Sequence, residues 1–131
     1  MNKIFFLSIC TLILVLSGCS NKTNVTGTVK YADGSPLTIG SVIFENDKEQ
    51  YFGQLNTEGK FNLGGIKSGD GIPPGSYKVR LAGMEETQDT ENDRVIVKHV
   101  DDKYTNVATS GLTAEVGKQR TFDFIVEKPE K

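Results

Sequence analysis

The sequence predicts an all-β protein whose folded part is a two-sheet Greek-key β-sandwich of seven or eight short strands. Three observations carry that expectation. Short runs alternate apolar and polar residues, turn-forming clusters of Gly, Pro, Asn and Asp recur every eight to fifteen residues, and no helical pattern outlasts a turn or two. A small barrel is the alternative architecture, because strand count does not separate the two.

The chain opens on Lys3 and the apolar run Ile4 to Leu16, with Ser17, Gly18 and Cys19 directly after it. Its 13 residues fall short of the ~20 that a membrane-spanning helix needs, and the small residues behind it suit a secretory leader. The stretch Leu16-Ser17-Gly18-Cys19 resembles the lipobox of a bacterial lipoprotein signal peptide. That resemblance implies removal of residues 1–18 and a lipid on Cys19, whose thiolate is the nucleophile that takes up diacylglycerol. Cys10 leaves with the leader, so the mature chain has one thiol and no internal disulfide is possible.

Residues 19–24 form a short polar tether, and residues 25–128 are the domain. The expected location is the bacterial cell envelope, with the lipid on Cys19 as the membrane anchor. Ser20 after the cysteine, where Asp would signal retention, favours the outer membrane in a cell with two.

The mature chain keeps 113 residues, enough for one hydrophobic core, with 14 basic and 17 acidic side chains. No basic cluster is present to neutralise a row of phosphates, so nucleic acid is not an expected partner.

The first strand runs from Val25 to Tyr31, with Val25, Gly27, Val29 and Tyr31 on one face and Thr26, Thr28 and Lys30 on the other. Asp33-Gly34-Ser35-Pro36 turns the chain, and Ile39 to Glu45 forms the second strand, which either pairs with the first or faces it from the other sheet. Tyr51–Leu55 and Lys60–Leu63 read as a hairpin closed by Asn56-Thr57-Glu58-Gly59, with Gly59 supplying positive φ. The segment Gly64 to Gly71 is Gly-rich but lacks the Gly-Lys-Ser/Thr ending of a phosphate loop, and no cofactor is expected.

Pro73-Pro74-Gly75 leads into a strand with Tyr77, Val79 and Leu81 on one face. Gly83 to Arg94 has no apolar periodicity and reads as an exposed loop, followed by the β-branched run Val95-Ile96-Val97. Asp101 to Thr109 suits one short helical turn. Leu112 to Val116 and Thr121 to Val126 are the last strands, ended by Pro129.

Candidate chemistry is sparse. His99 is the one imidazole and no His/Cys/carboxylate set has metal-ligand spacing, so the chain is not expected to be an enzyme. Asp89, Glu91 and Asp93 put oxygen ligands at alternate positions and are weak calcium candidates, although Arg94 and Val100 stand where an EF-hand needs Gly and Glu. Tyr104 lies in an expected loop and is a weak candidate for a ligand contact, against the plainer reading of a plug packed between loop and sandwich.

Several stretches together resemble the transthyretin-like, carboxypeptidase-regulatory-like domain family. They are Val25-Thr26-Gly27-Thr28-Val29, Asp33-Gly34-Ser35-Pro36-Leu37, Thr57-Glu58-Gly59-Lys60-Phe61 and Pro73-Pro74-Gly75-Ser76-Tyr77. The segment Asp102 to Thr113 is similar to the ending of small lipoproteins of planctomycete-type bacteria. The resemblance implies a prealbumin-like (Ig-like) sandwich without catalytic residues, serving as an accessory or surface module. The expected function is a lipid-anchored module that binds another envelope or exported protein or plays a structural role. A carbohydrate-binding accessory domain is the alternative, weakened by the absence of Trp.

Overall fold

The computed structural model describes residues 22–64 and 71–129. The leader, Cys19 and the next two residues of the tether, together with residues 65–70 of the Gly-rich segment, lie outside the described residues.

Seven strands make the sandwich. One sheet has three: β4 (Lys60–Asn62), β1 (Thr26–Tyr31) and β9 (Thr121–Val126), in that order. The facing sheet has four: β3 (Gln50–Gln54), β2 (Ser41–Glu45), β5 (Gly75–Ala82) and β8 (Leu112–Val116). The chain leaves β1, builds the β2–β3 pair opposite, and returns to lay β4 beside β1, which is the Greek-key path. β1 runs parallel to β9, while every pair in the four-stranded sheet is antiparallel. The all-β Greek-key sandwich is therefore the fold, and β1 and β2 lie on facing sheets.

Period-2 alternation explains the core, because successive side chains of a strand point to opposite faces. Val25 and Val29 from the β1 segment, Val42 and Phe44 from β2, Tyr77, Val79 and Leu81 from β5, and Phe122, Phe124 and Val126 from β9 all turn inward and are buried. Phe44 is the centre, with ring centroids 5.7–6.1 Å from those of Phe61, Tyr77, Phe122 and Phe124. Gly27 faces the same layer: a Cβ there would stand 2.0 Å from the Phe122 carbonyl oxygen and 2.6 Å from the Phe61 ring. Only a hydrogen lets β1 pass between those two neighbours.

Two local expectations are corrected. The Asn56–Gly59 turn forms, with the Asn56 side chain accepting from the Glu58 and Lys60 amides and Gly59 at φ +72°. Its arms, however, divide between the sheets: β3 pairs with β2 and β4 with β1, and the arms keep one antiparallel bridge, Phe52 to Gly64, with reciprocal backbone bonds of 3.2 Å, so the turn is a corner between sheets. The aromatic rows explain the split, since Tyr51 and Phe61 are both buried and pack from opposite layers.

Gly83 to Arg94 is not a loop. It contains β6 (Glu85–Asp89), which pairs with β7 (Arg94–Lys98) in a separate two-stranded ribbon. Every β6 side chain is exposed, so no apolar alternation marks it, and the pairing with β7 creates the strand.

Tyr104 takes the plainer of its two expected places. The Asp101–Ser110 segment forms a 3₁₀ turn, Asp102–Thr105, and a single-turn helix α1, Val107–Ser110. It buries Tyr104, whose hydroxyl accepts from the Glu127 amide at 3.2 Å just beyond β9. Tyr104 plugs the end of the sandwich, and Tyr104→Phe should cost about 1 kcal/mol of unfolding free energy in urea, one hydrogen bond with the ring retained.

Candidate functional site

The ribbon is the feature that the core does not explain. Thr90 N donates to the Asp93 oxygen at 2.8 Å at its tip, and His99 N donates to the Met84 oxygen at 2.9 Å at its base. Strands of five residues make it about 17 Å long. Cross-strand partners share a face, so Glu85/Lys98, Thr87/Ile96 and Asp89/Arg94 lie on one side, and Glu86/Val97 and Gln88/Val95 on the other. Ile96 is 61% exposed and Val95 45% exposed. Of the sandwich strands, β3 and β9 expose one large apolar side chain each, Phe52 and Ile125, whereas β7 exposes two in succession.

The base is clamped. Tyr31 on β1 donates its hydroxyl to the His99 carbonyl at 2.7 Å, and Lys98 Nζ bonds Asp102 at 2.8 Å. His99 Nε2 lies 3.1 Å from Glu86, an ion pair when the ring is protonated. The hydrogen bond to Asp102, followed by the charges around it, holds the Lys98 ammonium above its ordinary pKa.

Burial, with the Asp33 carboxylate adding to it, raises the Tyr31 phenol above its usual value near 10, and burial followed by Glu49 does the same for Tyr77. A folded pKa above the unfolded one means stability that is complete below the unfolded value and lost as pH rises through the folded one. Alkaline titration should therefore show these two phenols ionising above pH 10. As Tyr31 loses its proton it can no longer donate to His99, and amide exchange in the ribbon should quicken in that same window. Ribbon exchange unchanged by Tyr31→Phe would refute the clamp.

A second feature is an open cleft of about 490 Å³ on the outer face of the four-stranded sheet, between the Asn46–Asp47 turn and Val107 of α1. Glu45, Ser76, Lys78, Thr113 and Glu115 floor it. Two of its carboxylates are engaged across strands: Glu115 accepts from Ser76 at 2.5 Å, and Glu45 accepts from Gln50 at 2.8 Å and lies 3.4 Å from Arg80, both outside the cleft lining.

The candidates from sequence are dispersed. Asp89 is ion-paired with Arg94 at 3.0 Å, Glu91 sits in the ribbon turn, and the Asp93 carboxylate accepts from the Arg94 amide at 2.7 Å. Two of the three carboxylates thus serve the ribbon, and among the described residues no group of three His, Cys, Asp or Glu side chains is placed to hold a metal. Cys19 lies outside the described residues. Among these, too, no helix is long and apolar enough to cross a membrane. What sequence reasoning missed was the ribbon; the signal present was Val95-Ile96-Val97, a strand with no assigned partner.

Fold and site together define an all-β sandwich bearing a projecting two-stranded arm. No family model matches the sequence, and no curated protein matches it. Among solved structures the chain is similar to a DUF3823 family protein from Bacteroides ovatus ATCC 8483, with 15% identity and a TM-score of 0.46. The match covers 82% of this chain and 45% of that one, so this chain spans less than half of its neighbour's length.

Proposed function

We propose that this chain is a lipid-anchored envelope protein of transthyretin-like type, whose sandwich is a non-catalytic module for binding another exported or envelope protein. The observation that carries the reading is the ribbon: an arm clamped at its base that presents Ile96 to solvent on one face, between the charged pairs Glu85/Lys98 and Asp89/Arg94, while Val95 is exposed on the other. An apolar centre within a polar rim is the composition of a protein-recognition patch. The seven-stranded sandwich is what the family resemblance implies, and the leader pattern ending at Cys19 supports the anchor.

The rings that a sugar would stack on support the alternative poorly. Tyr51, Tyr77 and Tyr104 are buried, Tyr31 is half-buried, and among the described residues Phe52, 47% exposed, is the one ring open to solvent. The test is to immobilise residues 24–131 and offer envelope extract and a glycan array. Specific protein retention is expected. Glycan binding with no protein retained would replace this reading with the carbohydrate-binding one.

A further inference from the structure

Resting on the interaction-module reading, we propose that the free edge of β6 takes up an extended, basic segment of the partner protein as a third strand of the ribbon. The register shows which backbone groups are open. The bonds at Thr90/Asp93 and Met84/His99 fix the alternation, so Gln88 and Glu86 spend their backbone groups on β7. Glu85, Thr87 and Asp89 point theirs away from it, and among the described residues no other strand pairs with β6.

The β7 edge is less open. The Arg94 amide is bonded to the Asp93 carboxylate, and Lys98 is tied to Asp102 beside it. Lysine and arginine on an edge also discourage strand addition.

Charge selects the occupant. The ribbon from Glu85 to Lys98 has five carboxylates and two cations. β7 already shows what complements β6: Lys98 opposite Glu85, Ile96 opposite Thr87 and Arg94 opposite Asp89. A third strand meets those same three positions from the other side. Basic residues four apart would face Glu85 and Asp89, and an apolar residue between them would reach Ile96 across the small Thr87 side chain. A second copy is a poor occupant, because antiparallel β6–β6 pairing centred on Thr87 sets Glu85 against Asp89, and like charges directly opposite repel. The mode is strand addition, with the backbone supplying affinity and alternate side chains supplying selectivity.

The test uses the full chain in detergent and two labelled, end-capped peptides, Thr-Lys-Thr-Ile-Thr-Lys-Thr and Thr-Glu-Thr-Ile-Thr-Glu-Thr. The lysine peptide should bind at least about tenfold more tightly, weaken as salt is added, and slow exchange of the Glu85, Thr87 and Asp89 amides. Thr87→Pro removes one outward N–H without touching the β6–β7 ladder and should abolish binding. Should that variant disturb the ribbon, Glu85→Lys provides the second reading, and it should erase the preference for the lysine peptide.

Equal binding of the two peptides, binding of neither, or binding indifferent to both variants would overturn the proposal. Envelope extract separates this failure from that of the underlying reading. Proteins retained equally by the native chain and Thr87→Pro would leave the interaction module standing without the β6 edge, whereas retention by neither would remove both.

Discussion

Replacing Phe44 with alanine should destabilise the sandwich by about 3–5 kcal/mol, measured by urea unfolding. The ring is fully buried, and four other rings from both sheets close on it at 5.7–6.1 Å. Removing it deletes transfer free energy and leaves a hole that the neighbours cannot fill, because their backbones are held in two ladders. Domains of this size are stable by only about 5–15 kcal/mol, so the variant would stand near its unfolding threshold. Phe44→Leu should lose less than half as much. A loss under about 1 kcal/mol for the alanine variant would mean that the sheets do not pack around this ring.

Cys19→Ser should move essentially all of the protein from the membrane to the soluble fraction while its urea midpoint stays unchanged. On the proposed reading the cysteine sulfur is the attachment point, and hydroxyl oxygen is too weak a nucleophile to replace it. Each buried methylene contributes about 0.8 kcal/mol, so the chains of a diacylglycerol together hold firmly where one alone would exchange. The described core runs from Val25 to Val126, and on the proposed reading the cysteine belongs to the tether ahead of it, which is why stability should be indifferent. A variant still membrane-bound would remove the lipid anchor from the reading, and one that failed to fold would contradict the division between leader and domain.

The two experiments bear on different kinds of legibility. Val29 on its strand, and Tyr77, Val79 and Leu81 on theirs, were readable as belonging to one strand face because alternation is local, and all four are buried. Phe44 was readable only as part of a β-rich run, because Val42, Ile43 and Phe44 are all buried and the run shows no alternation. Asn56 and Gly59 were readable as a turn for an equally local reason, since an Asn side chain bonds its own backbone two residues on and Gly tolerates positive φ.

The candidate site was scarcely legible. β6 has no inward face, so its sequence, Glu-Glu-Thr-Gln-Asp, is that of a solvated loop. Asp89, Glu91 and Asp93 drew notice as oxygen ligands, yet Asp89 and Asp93 shape a ribbon end through Arg94. Tyr104 was readable as a plug or a ligand contact, but not where it packs: its hydroxyl meets Glu127, 23 residues further along.

By itself, then, the sequence determined the strands, their inward faces, their turns and the leader pattern, because each depends on residues a few positions apart. The tertiary structure alone decided that β3 and β4 part into different sheets, that β6 is a strand, and that Ile96 stands in water on a clamped arm. Those outcomes depend on which distant backbone offers a hydrogen-bonding partner and which ring already fills the core, and neither is encoded in the local run of side chains.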